Sequence, residues 1–218
     1  MTDVREPLTD AGVVPVITID RADDAGPLAA ALVRGGVRHA EVTFRTPAAA
    51  EAIERMRSEA PQLTVGAGTV LTVEQADRAL SSGAQYLVSP ALDAAVVEWC
   101  RERSVPVVPG VATASEVNAA RQRGLRTLKL FPAEQLGGVA LLQALGGPFP
   151  EIRFVPTGGI TPRNLAEYAR QPNVVACGGS WSASREAISA RKFDEIAAAA
   201  QEACAIVRSA REERNEAG

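Results

Sequence analysis

The stretch Thr127–Glu134, which reads TLKLFPAE, sets one lysine inside an apolar run that otherwise has the pattern of a buried β-strand. Side chains alternate along a strand, so Lys129 shares one face with Phe131 while Leu128 and Leu130 take the other. The two leucines suit the interface between a strand and a helix. Burying an unpaired ammonium group costs several kcal/mol, so Lys129 needs a route to the strand end, a buried carboxylate partner or a chemical role.

Seven further runs of β-branched and apolar residues repeat this pattern, and the runs start every 21 to 26 residues. The eight runs are VVPVITI from 13, HAEVTF from 39, LTVGAGTV from 63, QYLVSP from 85, PVVPGV from 106, TLKLFPA from 127, RFVPTGG from 153 and VVACGGS from 174. Ala-rich segments with helical spacing lie between them. One strand and one helix fit each interval, which predicts an α/β protein with the (β/α)8 TIM barrel fold. An open doubly wound sheet is disfavoured because no GxGxxG motif follows the first run.

The length of the chain suits one hydrophobic core, so residues 1–218 are predicted to form a single barrel domain. Residues from 1 to about 11 are predicted to be a short N-terminal extension. Residues from about 192 to 218 are predicted to form a closing helix with a charged tail.

Composition and charge restrict the possible partners. A net charge of −3 and a pI of about 5.4 give no basic surface for nucleic acid. The start, MTDVREPLTD, lacks the pattern of a secretion signal, and no apolar run reaches the length of a membrane span. Three widely spaced cysteines without a CxxC pair favour a reducing compartment over disulfides or a zinc site. We therefore expect a cytoplasmic protein that binds small molecules, not membranes.

The second run continues as AEVTFRT, which places Glu41, Thr43 and Arg45 on one face. An internal salt bridge between Glu41 and Arg45 would satisfy these charges without any chemistry. With Lys129 pointing into the same barrel, however, a carboxylate, an amine and a guanidinium would converge where barrel enzymes place their active sites.

These three groups together can bind and activate a 2-oxo acid. Apolar walls and a second cation favour the free amine of Lys129, which can attack a carbonyl carbon and form a Schiff base. Glu41 can shuttle the protons that this reaction moves, directly or through water. Arg45 can hold a substrate carboxylate with two parallel hydrogen bonds.

Paired glycines follow the last two runs, in PTGGI (156–160) and CGGSW (177–181). Barrel enzymes often bind phosphate after these two strands. Glycine lets an anion approach the backbone amides closely, and Ser180 adds a hydroxyl group. The alternative is that both segments are tight turns only.

The motifs together resemble one family over roughly residues 12 to 195, namely the class I 2-keto-3-deoxy-6-phosphogluconate (KDPG) aldolases, also called 2-dehydro-3-deoxy-phosphogluconate/4-hydroxy-2-oxoglutarate aldolases. The segments that carry the resemblance stand in family order and at family spacing. They are VVPVI, EVTFRT, VGAGTVL, VSP, PGVATASE, LKLFPAE, PTGGI and GGSW.

The resemblance implies that Lys129 is the Schiff-base lysine and Glu41 the general acid/base. Arg45 and Thr69 match positions that contact the pyruvate-derived carboxylate and nearby oxygens. The other implied substrate contacts are the pocket walls Pro90 and Phe131, the gluconate-type residue Thr157, and the phosphate-binding Gly158, Gly159, Gly178, Gly179 and Ser180. The family is usually a homotrimer and uses no cofactor or metal.

The sequence departs from the family pattern at two places. Many relatives carry a basic residue at the end of the first strand, whereas this chain reads TIDR and offers only Arg21 as a displaced candidate. Relatives also commonly read SPG where this chain has Ser89-Pro90-Ala91, so Ala91 is expected to shift that turn if the glycine has a positive φ.

The implied reaction is that of a lyase, which cleaves 2-dehydro-3-deoxy-6-phosphogluconate into pyruvate and glyceraldehyde 3-phosphate. The same chemistry on 4-hydroxy-2-oxoglutarate or on the 6-phosphogalactonate epimer remains open, as does a non-catalytic phosphosugar-binding barrel in which Lys129 only forms an ion pair. A metal-dependent aldolase is disfavoured, because the single histidine, His39, has no second ligand at suitable spacing.

Overall fold

The computed structural model describes residues 8 and 11–216, in which strands and helices alternate along the chain. The strands are β1 (Gly12–Ile17), β2 (His39–Thr43), β3 (Thr64–Gly68), β4 (Leu87–Val88), β5 (Val107–Val108), β6 (Gly110–Val111), β7 (Thr127–Leu130), β8 (Arg153–Pro156) and β9 (Ala176–Gly179). The helices are α1 (Ala25–Arg34), α2 (Ala49–Glu59), α3 (Val73–Ser81), α4 (Ala94–Glu102), α5 (Ala114–Gln122), α6 (Gly138–Gly146), α7 (Leu165–Ala169), α8 (Arg185–Ser189) and α9 (Phe193–Glu216).

The strands form two parallel sheets. The first has the order β5-β4-β3-β2-β1-β9 and the second the order β6-β7-β8. Two isolated bridges, Phe154 to Val174 and Thr157 to Gly178, join β8 to the chain around β9. The α/β class with a parallel sheet is thereby confirmed.

The run predicted as one strand, PVVPGV from 106, is divided into β5 and β6 at Pro109. Proline has no N–H group, so the hydrogen-bond ladder cannot continue through it unbroken. Its carbonyl oxygen still accepts a 2.9 Å hydrogen bond from the N–H of Lys129. Pro109 therefore contacts β7, which carries the lysine.

Alternate residues of a strand pack into different clusters, as the pattern of the sequence predicts. Leu128 and Leu130 of β7 lie in a cluster with Val117 of α5 and Leu142 of α6. Lys129, between the two leucines, is also buried but takes the opposite face. A smaller apolar cluster covers that other face of the strands and consists of Leu8, Ala11, Val14, Tyr86, Val88, Val108, Val155 and Ala176.

Several helices begin at side chains that accept a hydrogen bond from the first turn. Thr72, Asp93 and Ser184 cap α3, α4 and α8 in this way. Thr113 and Glu116 form a reciprocal capping box on α5, so the TASE part of the family-like segment PGVATASE stabilises a helix start.

The predicted terminal segments are described in part. Most of the predicted extension, residues 1–11, lies outside the described residues, although Leu8 is buried against the interior cluster. In the predicted tail, α9 continues to Glu216, and residues 217–218 lie outside the description. Among the residues described, no helix combines the length and apolar character needed to cross a membrane.

Candidate active site

Lys129 and Glu41 form a buried ion pair on the interior face of the strands. The Nζ atom of Lys129 lies 3.1 Å from Oε1 and 3.4 Å from Oε2 of Glu41. The two residues are only 5% and 3% exposed. The internal salt bridge considered between Glu41 and Arg45 is not formed, because the carboxylate of Glu41 contacts Lys129, 88 positions away in the chain.

Glycines on β3 make the space that the Glu41 side chain occupies. A Cβ atom on Gly68 would lie 2.1 Å from Oε1 of Glu41, and one on Gly66 would lie 2.3 Å from the ring of Tyr86. The Tyr86 hydroxyl donates a 2.8 Å hydrogen bond to the carbonyl of Ala40. Burial and the nearby Glu41 carboxylate hold the pKa of Tyr86 well above its usual value, so it remains a neutral donor.

Arg45 and Thr69 meet at the carboxyl ends of β2 and β3. Because β2 ends at Thr43, Arg45 lies in the following turn and is exposed. Its Nε atom donates a 3.2 Å hydrogen bond to the hydroxyl of Thr69. Thr69 has a φ of 57°, a left-handed conformation that is costly for a β-branched residue and concentrates at functional sites.

Pro90 lies against the strand that pairs with Lys129. Gly110 of β6 is the register partner of Lys129, and a Cβ atom there would lie 2.1 Å from the Pro90 carbonyl oxygen. Ala91, placed where relatives often have glycine, keeps a φ outside the left-handed region. The Ser89 hydroxyl bonds to the carbonyl of Ala91 at 2.6 Å. Ala91 is therefore accommodated without backbone strain, and the displacement of this turn relative to glycine-containing relatives stays a prediction.

A cavity of about 440 Å³ opens at the carboxyl ends of the strands. It includes seven of the residues predicted to contact substrate, namely Arg45, Phe131, Thr157, Gly158, Gly159, Gly179 and Ser180. Phe131 connects the cavity to the ion pair, because its ring centroid lies 5.5 Å from Nζ of Lys129. Lys129, Glu41, Thr69, Pro90 and Gly178 do not line this cavity.

The cavity wall includes Gly158 and Gly159, in the turn after β8, and Gly179, the last residue of β9. Gly158 and Gly159 have φ values of 99° and 78°, which glycine adopts without strain. Their carbonyl oxygens accept hydrogen bonds from the Glu134 N–H and the Asn164 side chain. The second glycine pair, predicted as a turn, instead ends β9 and pairs with Val14 and Pro15 of β1, because glycine fits where strands approach closely. Gly178 also pairs with Thr157 through the isolated bridge, which holds the end of β9 beside the turn after β8.

Sequence reasoning missed Thr18 and Arg185, which also line the cavity. The displaced candidate Arg21 does not line it, since its guanidinium lies near Asp23 and Asp24. The cation of Arg185, five positions after Ser180 in GGSWSASRE, was the signal available in the sequence. In the described part of the chain, no cluster of His, Cys, Asp or Glu has an arrangement suited to a metal ion.

Comparison with known proteins gives the same family as the sequence motifs. A family model described as KDPG and KHG aldolase matches residues 4–199. The 2-dehydro-3-deoxy-phosphogluconate aldolase of Treponema pallidum (strain Nichols) is 49% identical over 207 residues, which cover 95% of this chain and 99% of that protein.

Two solved structures are similar to the whole arrangement. A KDPG aldolase from Legionella pneumophila, with pyruvate captured as a covalent carbinolamine intermediate, has a TM-score of 0.86 and 38% identity. The match covers 89% of this chain and 95% of the Legionella chain. The 2-keto-3-deoxy-6-phosphogluconate aldolase of Zymomonas mobilis ZM4 with 3-phosphoglycerate has a TM-score of 0.86 and 40% identity. That match covers 94% of this chain and 97% of the Zymomonas chain. The resemblance found in the sequence is thus confirmed: this chain belongs to the KDPG and KHG aldolase family.

Proposed function

We propose that this protein is a class I aldolase that cleaves 2-dehydro-3-deoxy-6-phosphogluconate into pyruvate and glyceraldehyde 3-phosphate. The observation that carries the proposal is the buried Lys129–Glu41 pair, with 3.1 Å between Nζ and Oε1, beside a cavity of about 440 Å³. Similarity to a Legionella enzyme that holds pyruvate as a carbinolamine supports the same first step here.

The reaction begins when Glu41 takes a proton from the Lys129 ammonium group. The free amine attacks the C2 ketone and forms a carbinolamine, which loses water after protonation of its hydroxyl group. The protonated Schiff base then accepts the electron pair of the C3–C4 bond as the C4 hydroxyl loses its proton. Glyceraldehyde 3-phosphate leaves, the enamine is protonated at C3, and hydrolysis releases pyruvate and restores the amine.

Other residues hold the substrate during these steps. The Arg45 guanidinium and the Thr69 hydroxyl, which already contact each other at 3.2 Å, bind the carboxylate and nearby oxygens of the 2-oxo acid. Phe131 forms a wall of the cavity, and Pro90 forms the wall beside the strand that pairs with β7. Thr157, which also lines the cavity, is assigned to a substrate hydroxyl. Gly158, Gly159, Gly179 and Ser180, which line the cavity, surround the phosphate, and Gly178 supports them through its bridge to Thr157.

The fold around this site is a closed (β/α)8 barrel that forms one domain. Two connections support closure: β5 and β6 are separated by Pro109 alone, and two bridges join β8 to the chain around β9. The functional assembly is a homotrimer, as the resemblance to the family implies. Cys100, Cys177 and Cys204 are free thiols, which suits a cytoplasmic enzyme.

A second candidate substrate is 4-hydroxy-2-oxoglutarate, which would give pyruvate and glyoxylate. The position of Arg21 favours this unphosphorylated substrate. Its side chain is paired with Asp23 and Asp24 outside the cavity, so it supplies no cation for a phosphate group. Steady-state kinetics with this substrate, the 6-phosphogluconate derivative and its galactonate epimer separate the three. The proposal requires the highest kcat/KM for the gluconate derivative, and equal values for phosphorylated and unphosphorylated substrates would contradict it.

Gly68→Ala is expected to lower kcat by about 10²-fold, because the added Cβ displaces the Glu41 carboxylate from its position beside Lys129. The Cβ would lie 2.1 Å from Oε1 in a site with little room for adjustment. Gly147→Ala is the matched control, since its Cβ would have only one contact, at 4.0 Å from the Ala144 oxygen. An unchanged kcat in a folded Gly68→Ala enzyme would contradict the role assigned to this carboxylate position.

Ser180→Ala is expected to lower kcat/KM for the phosphorylated substrate by about 10- to 100-fold, because it removes one hydrogen bond to a charged group. The value for 4-hydroxy-2-oxoglutarate should stay unchanged. Serine is a cleaner test than the glycines: a Cβ on Gly159 would lie 2.5 Å from Glu134, and one on Gly179 would lie 1.6 Å from the Trp181 ring. Equal losses on both substrates would mean that Ser180 is structural.

A further inference from the structure

The cavity contains a cation that the proposed mechanism does not use. Its lining includes three charged side chains, those of Arg45, Arg185 and Glu186. Arg45 is engaged with Thr69 at the ends of β2 and β3. Arg185 instead begins α8, five residues after Ser180, which directly follows β9, on the part of the wall assigned to phosphate.

Arg185 is held in a defined orientation by Asp20, just beyond the end of β1. Its Nε atom donates to Oδ2 of Asp20 at 2.8 Å, and its Nη2 atom donates to Oδ1 at 2.7 Å. These are the two parallel bonds of a bidentate arginine–carboxylate pair. The hydrogen bond from Arg185 lowers the pKa of Asp20, so the carboxylate remains ionised at neutral pH.

The pair leaves much of the guanidinium available. Arginine has five N–H donors, and Asp20 takes two of them. The Arg185 side chain is 57% exposed, and an exposed pair of this kind adds little to stability. Stability therefore does not account for a fixed guanidinium at the wall of a cavity.

The pair also brings a cation to an edge of the cavity where β1 itself supplies none. Asp20 stands directly after Ile19, and Arg21 turns away toward Asp23 and Asp24. Arg185, from the start of α8, lies 165 positions from Asp20 in the chain. Its charge also offsets that of Glu186, which would otherwise repel a phosphate from this wall.

We propose that Arg185 is the side-chain cation of the phosphate subsite and that Asp20 is its positioning residue. The inference rests on the proposed function, because it assumes a phosphorylated substrate in this cavity. Backbone amides at Gly158 and Gly159 and the Ser180 hydroxyl supply the uncharged donors. The guanidinium supplies the charge that distinguishes a phosphorylated from an unphosphorylated 2-oxo acid.

Arg185→Ala and Arg185→Gln are expected to raise KM for the phosphorylated substrate about 10- to 100-fold, the usual size for hydrogen bonds to a charged group. Both should leave kcat and all kinetics with 4-hydroxy-2-oxoglutarate within about threefold of wild type, because hydrogen bonds made equally to bound substrate and transition state affect KM only. Isothermal titration with inorganic phosphate should show weaker binding by both variants.

Arg170→Ala is the matched control. Its guanidinium bonds to Glu213 through Nε at 3.1 Å and Nη2 at 2.8 Å, and its side chain is 44% exposed, outside the cavity lining. This variant should bind phosphate as the wild type does. Asp20→Ala should raise KM for the phosphorylated substrate, but should add nothing when Arg185 is already alanine, because the carboxylate acts only through the guanidinium.

The outcomes separate this inference from the proposed function. If the wild type prefers phosphorylated substrate and Arg185→Gln leaves that preference and phosphate binding unchanged, the inference is wrong while the function stands. If the wild type binds phosphate but cleaves no phosphorylated substrate, and Arg185→Gln abolishes that binding, the proposed function is wrong and the anion site stands. An additive Asp20→Ala effect, or a lower KM in that variant, would overturn the positioning role.

Discussion

Replacement of Lys129 by alanine is expected to lower kcat by a factor on the order of 10⁴ or more, because it removes the proposed covalent nucleophile. The side chain is buried, and its Nζ atom lies 3.1 Å from Oε1 of Glu41. The loss should appear with phosphorylated and unphosphorylated substrates alike, since both pass through the same Schiff base.

The sequence supplies a control for this experiment, because it contains only two lysines, Lys129 and Lys192. Lys192 is a surface residue 3.1 Å from Glu195, remote from the cavity lining. Lys192→Ala should retain wild-type kcat. Thermal unfolding of both variants shows whether the fold is kept, because removing Lys129 leaves Glu41 as an unpaired buried carboxylate. A folded Lys129→Ala enzyme with substantial activity would contradict the proposed mechanism.

Glu41→Gln is expected to lower kcat by about 10²- to 10⁴-fold, the range typical for loss of a general acid/base. Glutamine keeps the shape of the side chain and can still accept a hydrogen bond from Lys129, but it cannot carry a proton between steps. KM should change much less than kcat, because the contacts to the substrate carboxylate come from Arg45 and Thr69.

A matched control is Glu213→Gln, which breaks an exposed pair with Arg170 and should leave kcat unchanged. If Glu41→Gln folds normally and loses less than about threefold in kcat, the proton transfers belong to another group.

The position of the lysine could be predicted because it depends on local alternation. In TLKLF, the leucines pack toward helices and Lys129 takes the other face, and the β-strand pattern alone fixes this parity. The division of the fifth run could also have been predicted, since Pro109 stands in the middle of PVVPGV and cannot donate to a ladder.

The pairing of the charged groups could not be predicted in the same way. Glu41 and Arg45 have matching parity, but β2 ends at Thr43, and Arg45 turns out of the strand toward Thr69. The contact from Glu41 to Lys129 depends on the arrangement of strands from different parts of the chain. The pair of Asp20 with Arg185 joins the loop after β1 to the start of α8, 165 positions away, and no periodicity in the sequence connects them.

The most direct test of the central claim is reduction with borohydride in the presence of pyruvate, followed by peptide mass spectrometry. A Schiff base between pyruvate and the reactive lysine is trapped as a stable secondary amine, whereas a lysine that serves only as an ionic partner forms none. The structure predicts one adduct per chain, on the peptide that contains Lys129, and none on Lys192. An adduct confined to Lys192 or the N-terminal amine, or no adduct at all, would contradict the account.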